Sequence, residues 1–221
     1  MAKTSIMDIK QELIVFLRNQ DLISISDRGV TTSQDTGTFA SASTHTLATN
    51  PTLVKNVRDI TIATTALTFG TDYTVNYSTG VITFIAAQTG AYTINYDQGS
   101  TDRLFPDFPQ PYLNISDFPR ISVDIISGAT SEFGIGATPT QSEYIITIVC
   151  YDAKQTNVEN MIAAVRSDIL DNKKNFFYIP FLTVTTMGPL LITPFGKNKI
   201  LQRNQDIMAR FIFEQWELIK K

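Results

Sequence analysis

Between Thr68 and Phe84 apolar and polar residues alternate: Tyr73, Val75 and Tyr77, then the turn Ser78-Thr79-Gly80, then Val81, Ile82 and Phe84. Alternation interrupted by a Gly-containing turn predicts a β-hairpin. Ala91 to Tyr96 repeats the period after Gly90, so a third strand and a meander are expected. More strands are expected near 38–47 and 57–63, because residues 30–100 are rich in threonine and β-branched side chains. Leu47, Leu53, Val57, Ile60, Ile62 and Leu67 would give this stretch a core of its own.

The segments on either side follow a different period. Ile9, Leu13, Phe16 and Leu17 fall at helical spacing, so residues 5–18 predict a helix, with Ser5 and Asp8 at cap spacing. Asp27-Arg28-Gly29 ends that region. Prolines in 101–119, including Phe118-Pro119, predict a connector in which neither helix nor central strand continues. Ile121, Val123 and Ile125 alternate as a strand, and Tyr144 to Tyr151 is an apolar run suited to a central strand. Between them Gly128–Thr140 reads as a long polar loop. Thr156 and Glu159 have capping-box spacing before Val158, Met161, Ile162, Val165 and Ile169, a helical stripe. Strands near 181–187 and from Asp206 to Trp216 close the chain.

The expected fold class is therefore α+β: a two-layer core of sheet and helices carrying an inserted all-β module. The expected boundaries are 1–29 for the N-terminal helix of the core, 30–100 for the module, 101–119 for the connector and 120–221 for the α+β core domain.

Composition narrows the function. Charged residues are 18% of the 221, low for a globular chain. A surface poor in charge suits a protein that buries much of itself against partners. The net charge of −3 argues against a general nucleic-acid binder. Asp8, Lys10 and Glu12 interrupt what would be a signal-peptide core, and no apolar run is long enough for a membrane span. The single cysteine, Cys150, cannot form an intrachain disulfide and reads as a small buried side chain. Assembly in a reducing cytoplasm fits that usage.

Candidate chemistry is sparse. His45, the one histidine, has no acidic neighbour close in sequence. Nucleophile elbow, P-loop and zinc-protease motifs are missing. Phe133-Gly-Ile-Gly136 resembles part of a glycine fingerprint, but it lacks the third glycine and the strand-loop-helix context. Asp168 and Asp171 read as a solvated helix edge. No catalytic, cofactor-binding or metal-binding set is expected, and no enzyme.

The order from Phe118-Pro-Arg-Ile-Ser-Val123 through the Gly-rich loop, Tyr144-Ile-Ile-Thr-Ile, the helix 156–171 and the strand near Ile207–Phe213 resembles the tail terminator or tail completion proteins of tailed bacteriophages. The first helix occupies the place of that family's N-terminal helix, and the hairpin segment is similar to small β modules of phage virion proteins. The insertion of about 70 residues departs from compact family members. The resemblance implies a homohexameric ring that caps the tail tube and joins it to the head-side connector. The implied partners are other copies of the chain, the tail tube protein and connector or neck proteins, with DNA only in passage and no membrane. The implied location is the virion tail or neck, after assembly in the host cytoplasm.

Two regions are candidate contact sites. One is the loop, through Gly128, Ser131, Glu132, Phe133, Gly134, Gly136 and Thr138, facing tail tube or lumen. The other is the basic segment Thr193–Lys199 with Arg203, where Lys197, Lys199 and Arg203 would meet an acidic neighbour or DNA, or simply form a solvated turn. Two alternatives stay open. One is another neck or tail-tube protein. The other is a carbohydrate- or surface-binding virion module using Tyr73, Tyr77, Tyr92 and Tyr96, which bind sugar if exposed and are core if buried.

Overall fold

The computed structural model describes residues 6–47, 53–106, 117–132, 140–195 and 198–213. They form two compact units, Val15–Arg103 and Met1–Ile14 with Leu104–Lys221. Helix α1 (Ile6–Asn19) contributes residues to both. Of its expected stripe, Ile9, Leu13 and Leu17 are buried and Phe16 is partly so. The expected cap residue Ser5 lies outside the described residues.

In Val15–Arg103, a one-turn helix α2 (Ile25–Arg28) starts at Ser24, whose hydroxyl accepts from the Asp27 N–H at 3.1 Å. It stops at Gly29, whose φ of 78° is the left-handed cap that glycine adopts without strain. Strands β1 (Thr31–Thr46), β2 (Val54–Ile62), β3 (Thr65–Ala66), β4 (Tyr73–Asn76) and β5 (Val81–Gln98) form one sheet in the order β1-β5-β2-β3, with β4 also on β5. The predicted hairpin is the β4–β5 pair, with Tyr73 opposite Phe84 and Asn76 opposite Val81. The hairpin strand expected from Val81 and the third strand expected from Ala91 are one. Gly90, expected to break the run, sits inside β5 with φ of 118°, so the chain turns its direction there without ending the ladder. β5 pairs with β1 over Gln88–Gln98 and Val81–Thr83, and with β2 and β4 in succession. The core contains Phe39, Val57, Ile60, Tyr73, Ile82, Phe84, Ile94 and Tyr96.

In the other unit, β6 (Leu104–Pro106), β7 (Arg120–Glu132), β8 (Thr140–Asp152), β9 (Phe181–Met187), β10 (Leu191–Phe195) and β11 (Asn198–Phe213) form a second sheet in the order β10-β11-β8-β7-β6. β9 joins it on the β10 side of β11. Helix α3 (Gln155–Asn172) buries Val158, Met161, Ile162, Val165 and Ile169, the five residues of its predicted stripe. Under it Ile146, Ile148, Cys150, Ile207 and Ala209 are fully buried.

The expected α+β class does not hold. Among the described residues, eleven strands against three helices make the protein mostly β, and neither unit is a two-layer α+β core with a β insertion. Polar strand ends escaped the hydrophobic pattern: β1 begins at Thr31, β7 runs on to Glu132, β8 begins at Thr140 and β11 begins at Asn198. A strand end is held by its backbone ladder and needs no apolar alternation where it runs past the core. The connector contains a short strand as well: β6 pairs in parallel with β7, and Pro106 is tolerated at its end. The expected capping box at Thr156 is replaced. The helix starts at Gln155, and Lys154 precedes it in extended backbone without a side-chain cap. Asp152 accepts instead from the Lys154 N–H at 2.8 Å and the Asn157 amide at 3.2 Å.

Candidate functional site

Part of the predicted loop is strand. Gly128, Ser131 and Glu132 are strand residues of β7, paired with Tyr144, Gln141 and Thr140 of β8. A glycine belongs at 128 because the Tyr144 ring lies over it: an added Cβ would come within 2.8 Å of two ring carbons. Phe133, Gly134, Gly136 and Thr138 lie outside the described residues, as does Lys197. Of the basic segment, β10 and β11 form an antiparallel ladder in which Lys199 faces Pro194, and Lys199 is exposed. Arg203 points into its own unit. It donates from Nε to the Gly188 carbonyl at 2.9 Å and forms an ion pair with Glu159 of α3. That pair ties the helix to the sheet.

The other side of this unit's sheet carries Ile126 and Ile145, and β9 and β10 present Phe181, Leu191 and Ile192; all five are exposed. Ile126 sits at a bulge between Ile125 and Ser127 in the β7–β8 ladder. Two ties through the buried side chains Lys10 and Glu12 anchor α1 in the same unit. Lys10 Nζ donates to Asp124 at 2.8 Å. The Glu12 carboxylate accepts the backbone N–H of Phe177, and that of Tyr178 at 2.8 Å. Burial pushes the Glu12 carboxyl up to about 7, although both N–H groups favour the anion.

Val15–Arg103 contains the densest polar cluster, which no local motif announced. Arg28 is fully buried. Its guanidinium grips Asp102 through Nε at 3.1 Å and Nη2 at 2.9 Å, Asp97 through Nη1 at 2.9 Å, and the Asn56 side-chain oxygen at 3.1 Å. Asp97 is also held by Arg58, at 2.7 and 3.0 Å, and by the Thr32 hydroxyl. Burial works to raise the Asp97 pKa, yet the guanidinium groups of Arg58 and Arg28 outweigh it and hold the carboxylate below its usual range. Arg58 continues to Asp21. The centre of this cluster is closed to solvent, so it acts as an internal tie.

His45 has an acidic partner after all. Its Nε2 lies 2.8 Å from Asp35 Oδ2, ten residues earlier on the same strand. Ten residues of regular strand span roughly 33 Å. The pair therefore requires β1 to fold back, which it does through register shifts between Ala40 and Thr44 and a φ of 98° at Ser41. Phe39 and Tyr92 stack beside the imidazole with ring centroids 4.0 Å apart. In a hydrolytic triad the nucleophilic hydroxyl meets the histidine. Here the Tyr92 hydroxyl donates to Asp35 at 3.5 Å, so the group is a clasp that orients the ring.

Of the four candidate sugar-binding tyrosines, Tyr73 and Tyr96 are buried in the core. Tyr77 is half-buried, accepts from the Val57 N–H at 3.3 Å and has its phenol pushed up to about 12 by burial, while Tyr92 lies on Phe39. They form no exposed row. Cys150 is fully buried, and burial raises its thiol pKa far above the ordinary value. Among the described residues no group of three or more His, Cys, Asp or Glu could hold a metal ion, and no helix is long and apolar enough to cross a membrane. No protein-family model matches the chain, and no curated protein matches it either.

Proposed function

We propose that the chain is a structural virion protein of the tail terminator or tail completion kind. It acts without catalysis: copies close into a homohexameric ring that caps the tail tube and meets connector or neck proteins on the head side. DNA is met only in passage through the ring. The protein is assembled in the host cytoplasm and resides at the tail–neck junction. The observation that carries this reading is the second sheet, which has a long strand edge on each side and little charge on either. Head-to-tail contact between opposite edges is the arrangement from which rings are built.

The dominance of strand over helix favours a second reading, a tail-tube protein, because such proteins are built mainly of sheet. Light scattering with negative-stain images of the purified protein separates the two. Closed particles of about six subunits support the terminator. Open filaments support the tube protein. A monomer at every concentration, with no capture by tail tubes, overturns both.

A further inference from the structure

Two edges of the second sheet differ from the other described edges. Among the described residues, β6 covers β7 only at Ile121, Ser122 and Val123, and Ile125–Glu132 have no strand on their outer side. On the opposite border, β9 pairs with β11 and has no strand beyond it among the described residues. Natural edges are blunted by charge, proline, bulges or shortness. Over Ile125–Glu132 there is one charged residue, Glu132, and one bulge, at Ile126. β9 has neither charge nor proline in its seven residues. The first sheet is guarded on both sides: beyond the two-residue β3 the edge of β2 carries Lys55, Arg58 and Asp59, β4 is four residues long, and β1 is doubly bulged and folded back on itself.

The two unguarded edges also match. From β7 to β8, β11 and β9 each pairing is antiparallel, so β7 and β9 run in opposite directions. Phe181, Arg210, Glu143 and Ala129 form one row across the sheet, and Val184, Ile207, Ile146 and Ile125 another. β9 and the open part of β7 therefore lie at the same level. A second copy in the same orientation brings its β9 beside β7 in antiparallel pairing, without shear. Each edge then satisfies the other's outward backbone groups.

We propose that β7 of one copy and β9 of the next join as neighbouring strands, making one sheet continuous across the interface. The occupant of each edge is a second copy of this chain. The proposal rests on the self-assembly reading above and names its contact. The unshifted register puts Ala129 of one copy opposite Phe181 of the next; a register moved by one residue pair puts Ser127 there.

Cysteine pairing tests it in the full chain, because Cys150 is buried and will not compete. Proteins carrying Ala129→Cys or Ser127→Cys are each mixed with protein carrying Phe181→Cys and oxidised. One of the two mixtures should give a strong band at twice the chain mass without reductant, which returns to single mass with it. Each variant alone should stay at single mass. A variant with cysteine at 127 or 129 that dimerises with itself, while no mixture does, indicates a two-fold β7–β7 contact and overturns the proposal. Rings by light scattering with no cross-link in either mixture also overturn it, leaving the ring intact. A cross-link in particles that never close supports the strand pairing and overturns the ring.

Discussion

The buried polar groups of the two units are satisfied in different ways. In Val15–Arg103 they share one network: Arg28 holds Asp97, Asp102 and Asn56, and Asp97 passes the connection to Arg58 and Thr32. In the other unit they are met in separate small groups, several of them by backbone. Glu12 takes two N–H groups, Asp152 takes the Lys154 N–H, and Gln205 donates to the carbonyls of Thr186 and Asp206. A shared network fails together when one member is lost, whereas single ties fail separately. The low charge count of residues 30–100 thus has a meaning that composition did not suggest. Two of the few charged residues there, Arg58 and Asp97, are internal ties.

The sharpest break in the comparison is Arg28→Met. It leaves Asp97 and Asp102 buried without their central cation, and removing one member of a buried pair costs about 3–5 kcal/mol. Thermal unfolding should show Val15–Arg103 melting early or failing to fold, with amide protection of β8 and β11 unchanged. Equal loss in both units would show that they do not behave as independent cooperative bodies.

Titration separates the units by sign. The folded-state pKa of Glu12 is raised from 4.5 to about 7. The stability linked to its neutral form is present below 4.5 and lost as pH rises to about 7, a change of roughly 3 kcal/mol. Asp97 is shifted the other way. Its contribution is present above the ordinary carboxylate range and lost as pH falls through it. Denaturant melts from pH 8 down to about 2, read with probes in each unit, should show the Glu12 unit losing stability as pH rises from 4.5 to about 7 and Val15–Arg103 losing it only as pH falls below the ordinary carboxylate range. Glu12→Gln should flatten the slope of its own unit and leave the other unchanged. A slope that persists in the Gln variant would assign the effect to a different group.

What the sequence made legible follows from where side chains do the work. The α3 stripe and the β4–β5 hairpin were visible because apolar residues repeat at the period of the element they form. β1 was half hidden because Phe39 is its one buried hydrophobe among threonines and serines. The Arg28 cluster was invisible because its carboxylates lie 69 and 74 residues away along the chain. The Asp35–His45 clasp was hidden for a related reason: a bend in the strand, with no local motif, brings its ends together. Of the candidate contact residues, Gly128 was picked out for the wrong property. It looked like loop material, whereas its smallness makes room for a tyrosine ring.

That role recurs, and it supplies the finest test of the comparison. Gly37 pairs with Tyr92 in β1–β5, and Gly128 pairs with Tyr144 in β7–β8. A Cβ at either glycine would come within 2.8 Å of the tyrosine across the ladder. Gly37→Ala and Gly128→Ala should each displace a ring, at a cost of about 1–3 kcal/mol. The consequences should differ. Tyr92 also stacks on Phe39 and reaches Asp35, so Gly37→Ala should loosen the His45 clasp and shift the His45 imidazole resonances in NMR spectra. Gly128 lies on the proposed assembly edge, so Gly128→Ala should weaken self-association while changing monomer stability by a similar amount. If Gly128→Ala costs stability and leaves self-association untouched, the Tyr144 contact serves only the fold and the edge of β7 is not where copies meet.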